Sequence, residues 1–301
     1  MKPAVALVGL GRMGAPMARR LLAARYRLRV YDASPRAGAA FAGEKGAIVC
    51  ASPADAARGA RVLITMLPDG AAVRAALLGR NGAATMLARG AVVLDMSSSD
   101  PDTTRRLGRA LAPRGVAFLD APVSGRVVGA RAGTLTIMVG GSAAALARVR
   151  PVLKQLGTSI YHCGPAGAGH AVKSLSNAIA AAGTVAAFEA LLVGRALGLD
   201  AKLINDVWNA SAGRNTTTEQ KIPKQVLTRA FASGFALSLM AKDVAIAAAL
   251  ARKTGVHAPL LRRSLALWRA AERRLARGAD HTEMYLYLKD ASAKRKLRRV
   301  S

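Results

Sequence analysis

At 301 residues and 52% hydrophobic, the chain is long enough for two domains with their own cores and too apolar to be disordered. Two cysteines far apart, Cys50 and Cys163, and no Cys/His cluster argue against a disulfide framework and against a metal site, and favour a reducing cytoplasm. The net charge of +28 is shared between the halves, +15 over residues 1–163 and +13 over 164–301. It therefore describes an arginine-rich surface that attracts anionic substrates and cofactors, and nucleic acid is not the expected partner.

The opening MKPAVALVGLG is too short in its apolar run for a secretory signal, and its glycines give it another role. Lys2 to Val8 reads as a buried first strand. Gly9-Leu10-Gly11-Arg12-Met13-Gly14 follows at once, and APMARRLLAAR reads as a helix. This is GxGxxG in its required setting. The first glycine allows the tight turn, the second lets a pyrophosphate approach, and the third lets helix and strand pack closely. Helix-start amides then face the phosphates. A second strand, Arg27 to Tyr31, ends at Asp32, an acid placed to accept hydrogen bonds from the adenosine ribose. Its charge repels a ribose 2′-phosphate and favours NAD, while Arg36 close by could receive that phosphate, so NADP stays open.

Strands and helices then take turns. Strands are expected at Ala47–Cys50, Val62–Leu67, Val92–Met96, Val116–Leu119, Leu135–Val139 and Ser159–His162. Helices are expected at Pro53–Arg58, Ala71–Leu78, from Pro101 to about Pro113, and at Ser142–Gln155. Such alternation means a doubly wound, mostly parallel sheet, with ligands beyond the C-terminal ends of the strands. The loops there are Gly9–Gly14, Leu67–Pro68, Ser97–Ser99 and Pro122–Gly125. After Gly164 no strand is expected. Residues 1–163 form the α/β Rossmann domain and 164–301 an all-α domain, joined by a long interdomain helix. That helix is apolar nearly all round and should be buried. Glu189 interrupts it and alanine dominates it, so it is not read as a membrane span. Its early turns carry Lys173 and Asn177, four residues apart and on one face. The basic run Lys294–Arg299 is expected to be a mobile end.

The matches GLGRMGAPMA, ITMLPDG, DMSSSDP, DAPVSG, GTLTIMVGG, GAGHAVKSLSN and LMAKD, in that order over about residues 3–290, carry a resemblance. The chain resembles the 3-hydroxyisobutyrate dehydrogenase family, the β-hydroxyacid dehydrogenases. The resemblance implies an N-terminal Rossmann domain, a helical C-terminal domain involved in dimerisation, and an active site between them. It also implies oxidation of small β-hydroxy acids, or reduction of the matching semialdehydes, with NAD or NADP. Carried over, Lys173 matches the catalytic lysine that exchanges the hydroxyl proton, and Asn177 the asparagine that holds substrate beside it. Ser124 and Gly125 match the loop that binds the substrate carboxylate. Leu67, Pro68 and Ser98 match cofactor-lining positions, and Lys242 a lysine beside cofactor and substrate.

The chemistry fits these roles. Carbinol oxidation needs a base as hydride leaves, and the reverse reaction needs an acid. A lysine ordinarily titrates near ~10.4 and is a poor base at neutral pH. An apolar wall and a second cation such as Lys242 make it a better one. His162 and His170 match no catalytic position and are read as structural. Three departures from the family pattern bear on the substrate. Ser176 stands where an asparagine is usual, Arg126 follows Ser124-Gly125 where a glycine is usual, and Thr216 and Lys221 stand where several members carry aromatic residues. If Arg126 and Lys221 face the pocket, the substrate carries a second anionic or strongly polar group.

The expected protein is a cytoplasmic, NAD-preferring dehydrogenase of a small hydroxy acid, a homodimer or homotetramer with no membrane partner. The alternatives are an NADPH-dependent reductase of tartronate-semialdehyde, succinic-semialdehyde or sulfolactaldehyde type, and an inert nucleic-acid-binding homologue.

Overall fold

In Val5–Val8, Val62–Thr65 and Val92–Asp95 every residue is buried, as strands covered by helices on both faces require. The computed structural model describes residues 2–300, with side chains through Ala293; the basic run 294–299 lies outside the described side chains. The chain divides into two compact units, Met1–Lys173 and Ser174–Ser301.

In the first unit the chain order is β1 (Val5–Val8), α1 (Gly14–Ala23), β2 (Leu28–Tyr31), α2 (Pro35–Ala39), β3 (Ala47–Val49), α3 (Pro53–Ala57), β4 (Val62–Thr65), α4 (Gly70–Leu78), β5 (Val92–Asp95), α5 (Pro101–Leu111), β6 (Ala117–Asp120), β7 (Val123–Ser124), α6 (Arg126–Ala132), β8 (Leu135–Gly140), α7 (Ala143–Leu156), β9 (Gly157–Gly164) and the start of α8 (Ala168–Ala196). Strands β3-β2-β1-β4-β5-β6 are parallel neighbours, with Val5 opposite Leu28 on one side and Val62 on the other. The order reverses at β1, the place where such sheets bind nucleotides. β6 and β7 follow one another along one edge of β8, antiparallel to it, and β9 runs parallel along the other edge.

Alternation along each strand feeds two cores. Val5, Leu7, Val30 and Ile64 meet Met17 and Leu21 of α1 and Val149, Leu153 and Leu156 of α7. Ala6, Val8, Leu63 and Val93 meet Val73 and Leu77 of α4 and Leu107 and Leu111 of α5. Helix starts are specified locally: Ser52, Asp69, Asp100 and Ser142 each cap a helix through the side chain.

The second unit contains the rest of α8, α9 (Ala201–Asn209), a π-helical segment Thr217–Val226, α10 (Leu237–Thr254), α11 (Pro259–Arg274) and α12 (Met284–Val300). An isolated bridge between Ala236 and Asp280 is its only strand-like pairing among the described residues. Its core gathers Ala181, Phe188 and Leu191 of α8 with Ile222, Val244, Trp268 and Tyr285. Phe188 and Tyr285 pack edge to face, centroids 5.6 Å apart.

Several features differ from the sequence expectation; α2 and the two-residue β7 were not expected, and three bear on the site. Residues 126–132 form a helix, α6, which no amphipathic pattern or side-chain cap announces. The units divide inside α8, after Lys173, because Gly167 and His170 are hydrogen-bonded into the first. Helix α8 is not buried all round. Its Ala178, Ala181, Val185, Phe188 and Leu191 face is buried, but Ile179 is 76% exposed, and Val172, Leu175 and Val193 are exposed too. By length and composition α8 could cross a membrane, with a mean hydropathy of 1.5 over its most apolar window. That hydropathy reflects a helix with one apolar face in a core and a second at the surface.

Candidate cofactor and substrate site

The turn after β1 is held by contacts that only glycine permits. Gly9 has φ of 102°, and a Cβ there would lie 2.3 Å from the Met66 carbonyl oxygen. A Cβ on Gly14 would lie 1.8 Å from the Gly9 carbonyl oxygen. Gly11 is the contrast: nothing lies within 4 Å of where its Cβ would be, so the loop is open on that side. Helix α1 begins after Met13 with no side-chain cap and no acid in its first turn, leaving the positive end of its dipole for an anion. Leu10 is buried beneath the loop, and Arg12 is exposed on it.

Asp32, at the end of β2, is held toward this loop. Its Oδ2 accepts from the Leu10 amide at 2.6 Å, and its Oδ1 from the Ser34 amide at 2.8 Å. The loops after β4 and β5 are tied together by buried Asp95. Its carboxylate accepts from Thr65 Oγ1 at 2.9 Å, the Ser97 amide at 3.1 Å and Ser99 Oγ at 3.0 Å. Ser97 Oγ in turn accepts from the Leu67 amide at 2.9 Å. Pro68 is exposed and Ser98 half-buried at the surface of these loops. An uncapped helix start, an open Gly11 and an oriented acid fit a dinucleotide: backbone amides for the pyrophosphate and Asp32 for ribose hydroxyls.

Ser124 ends β7, exposed, and Gly125 and Arg126 open α6 with φ of 134° and 59°. A non-glycine residue in the left-handed region costs about 1–2 kcal/mol, so the Arg126 backbone is held there by its surroundings. Its side chain is exposed.

The start of α8 is bound to β6, α5 and the loop after β5. Asp120 accepts from the amides of Gly167 and His170, each at 2.8 Å. The His170 ring is 1% exposed; Nδ1 lies 2.7 Å from Thr104 Oγ1 and Nε2 3.0 Å from the Ser97 carbonyl. Lys173 follows one turn later, half-buried. His162 is exposed, with Nε2 2.7 Å from the Gly141 carbonyl.

In the second unit, Asn177 Nδ2 donates to Asp243 Oδ2 at 2.5 Å. This fixes the amide: one N–H is committed to Asp243, and Oδ1 with the other N–H is available elsewhere. Asp243 is buried, and Lys242 Nζ lies 3.7 Å from its Oδ1. Lys221 sits in the π-helical segment and donates to Thr184 Oγ1 at 2.6 Å. Thr184 also meets Thr217 Oγ1 at 2.9 Å, so Lys221 is tied to a buried hydroxyl pair. Ser176 and Thr216 are exposed. Sequence reasoning read Asp243 only as a charge partner of Lys242 and missed its tie to Asn177, and it gave no role to Asp120, an acid closing an apolar strand. Among the described residues, no group of three or more His, Cys, Asp or Glu is placed to hold a metal ion.

Residues 4–164 match the family model of the NAD-binding domain of 6-phosphogluconate dehydrogenase. Residues 167–288 match that of the NAD-binding region of NADP-dependent 3-hydroxyisobutyrate dehydrogenase. The NAD-dependent L-serine dehydrogenase of Pseudomonas aeruginosa is 39% identical over 271 residues, 88% of this chain and 91% of its own. The 3-hydroxyisobutyrate dehydrogenase of the same organism is 38% identical over 262 residues, covering 85% and 88%. The solved structure of Mycobacterium tuberculosis 3-hydroxyisobutyrate dehydrogenase with L-serine superposes with a TM-score of 0.88 at 33% identity, covering 96% of this chain and 99% of that one. The chain belongs to the 3-hydroxyisobutyrate dehydrogenase family and is an NAD(P)-dependent hydroxyacid dehydrogenase.

Proposed function

We propose that the protein oxidises a small β-hydroxy acid, of the 3-hydroxyisobutyrate or L-serine kind, with NAD, and that Lys173 is its general acid–base. The observation that carries the reading is Lys173 on α8, one turn beyond a fixed helix start, with Asn177 on the same face four residues on. Residues 1–163 supply the cofactor site and 164–301 the substrate and dimerisation surface. Gly9 to Gly14, Asp32, Leu67, Pro68 and Ser98 line the cofactor. The bound nicotinamide supplies the hydride acceptor. The Ser124 hydroxyl and the Gly125 amide hold the substrate carboxylate. Asn177, its amide oriented by Asp243, holds the hydroxyl against Lys173. Neutral Lys173 takes the hydroxyl proton as hydride leaves the carbinol carbon, and in the reverse direction its ammonium returns that proton to the carbonyl oxygen.

Asp32 favours NAD over NADP because a ribose 2′-phosphate would meet its carboxylate. Arg126, exposed at the head of α6, would grip a second anionic group on a longer substrate. Arg126→Ala kinetics on one-charge and two-charge hydroxy acids test this, and equal losses refute it.

The exposed apolar positions Val172, Leu175, Ile179 and Val193 recur at helical spacing along α8, and Leu197, Leu203 and Val207 follow them. A second copy of the chain covers this stripe in a cytoplasmic homo-oligomer. The deciding experiment is Lys173→Ala. NADH binding, followed by fluorescence, stays within about threefold, while kcat falls at least ~10³-fold. Retained turnover removes Lys173 from the chemistry. Steady-state ratios for NADH and NADPH separate a dehydrogenase from an NADPH-dependent semialdehyde reductase.

A further inference from the structure

Asp120 and His170 are buried ionisable groups to which the proposed chemistry assigns no task. Helix α8 begins without a local side chain closing its first turn; the closing group comes from the end of β6 instead. The Asp120 carboxylate divides its oxygens between two orphan amides, Oδ1 taking Gly167 N–H and Oδ2 taking His170 N–H, each at 2.8 Å. The fit is as close as backbone allows. A Cβ on Gly169 would lie 2.3 Å from the Met138 carbonyl oxygen, and one on Gly140 2.5 Å from Asp120 Oδ1.

The His170 side chain adds two more ties, to Thr104 Oγ1 on α5 at 2.7 Å and to the Ser97 carbonyl after β5 at 3.0 Å. A carbonyl can only accept, so Nε2 carries a proton. The Ser97 segment is itself tied to the Leu67 amide and to Asp95. Asp95 Oδ2 and Asp120 Oδ2 stand 3.8 and 3.9 Å from the ring nitrogens. The first turn of α8 is thus fixed from three directions by the strand ends and α5, and Lys173 rides on the next turn.

We infer that Asp120 and His170 are positioning residues that set the axial and rotational place of Lys173, and so its alignment for proton transfer. The inference rests on the proposed role of Lys173. A helix free to slide or turn would carry the Lys173 amine with it, and a misplacement of about 1 Å costs about 10²-fold in rate. A helix-capping function alone would cost stability and leave turnover per folded molecule unchanged.

The test compares Asp120→Asn, His170→Leu, His170→Gln and the milder Thr104→Val in the full-length enzyme, with Val149→Ala in the core as a control for lost stability. Expected are a fall in kcat of about 30–100-fold for Asp120→Asn and His170→Leu, and NADH affinity within about threefold. His170→Gln, whose amide can still donate to the Ser97 carbonyl and meet Thr104, recovers most of the rate. The pH midpoint of kcat/KM moves in Asp120→Asn, because a displaced lysine meets a different environment, and stays in Val149→Ala. Equal loss in His170→Gln and His170→Leu, or kcat that simply follows melting temperature as in Val149→Ala, overturns the inference. If Lys173→Ala stays active, both readings fall. If Lys173→Ala is inactive while Asp120→Asn and Thr104→Val turn over at the parent rate, only the positioning role falls.

Discussion

The two units treat their apolar surface differently. In the first, helices pack on both faces of the central strands, and at the opening of α8 Gly167 and His170 are held by Asp120, Thr104 and Ser97 of the same unit. The second closes one core around Phe188, Ile222 and Trp268 and leaves a second apolar surface outside, with Leu197 73% and Leu203 62% exposed. Fixed interior contacts are what position groups for chemistry, whereas an uncovered apolar face of this size is what an assembly would cover.

The sharpest way to break the first unit is at its tightest point. Gly14→Ala puts a methyl 1.8 Å from the Gly9 carbonyl oxygen, so strand and helix must separate. Destabilisation of at least ~3 kcal/mol and loss of measurable NADH binding are expected, read by urea unfolding and fluorescence titration. Gly11→Ala is the informative partner. Its methyl meets nothing within 4 Å, so unfolding should match the parent while NADH affinity falls by at least about tenfold, because the methyl occupies the approach of the pyrophosphate.

The second unit breaks differently. Ile179→Glu places a charge on the exposed face of α8 without touching the buried face around Ala181 and Phe188. Burying an isoleucine is worth about 1.5–3 kcal/mol, and a two-fold interface counts it twice. Sedimentation should show the assembly dissociating at least ~100-fold more readily, with helix content unchanged. An unchanged sedimentation coefficient would remove this face from the interface.

The same contrast explains what was legible in the sequence. Strand–loop–helix units announce themselves through short apolar runs and glycines, and the strands from Val5 to Gly164 were expected within a few residues of where they lie, except the two-residue β7, which was read as a loop. Helix α6 was missed because its sequence, RVVGARA, has no side-chain cap and is entered through Gly125 and Arg126 with positive φ. The π-helical segment Thr217–Val226 was missed because a one-residue widening of the hydrogen-bond ladder leaves no periodicity to read. The tight turn at Gly9 and the acid ending β2 at Asp32 were readable because their local spacing states the geometry they need. Asp120 and Asp243 were not, since their partners lie 47 and 66 residues away in the chain. The burial expected for α8 was half right, because composition cannot tell an apolar face turned inward from one turned outward.

Within the second unit, one polar junction bears its own stability. Asp280 accepts from Ser233 Oγ, the Gly234 amide and Thr282, joining the segment before α10 to the turn before α12. Burial pushes the Asp280 carboxyl up, but hydrogen bonds from His281, Thr282 and Ser233 outweigh it and hold it well below the usual carboxylate range. A depressed folded-state pKa means stability that is fully present above the unfolded value of ~3.9 and lost as pH falls below it. Asp280→Asn should cost about 1–3 kcal/mol at pH 7, with the difference from the parent shrinking as urea titrations are moved down toward pH 3. A constant difference across that range would mean that the charge contributes nothing.

The smallest expected effect returns to the first unit, at an acid that is oriented yet half-exposed. Asp32 has both oxygens engaged by amides, at 2.6 and 2.8 Å, so its carboxylate stays where a ribose would meet it. A discrimination by Asp32 against a 2′-phosphate would be Coulombic and solvent-facing, and hence modest. Asp32→Asn should lower the NADH-to-NADPH ratio of kcat/KM about tenfold, or about 1.4 kcal/mol. Salt separates charge from shape. A screening length of ~10 Å at 0.1 M falls to ~3 Å at 1 M, so added salt should narrow the parent's preference and leave that of Asp32→Asn nearly flat. If the two enzymes respond to salt alike, the preference is set by packing around the ribose. Arg36, exposed on α2, would then be the residue to change next.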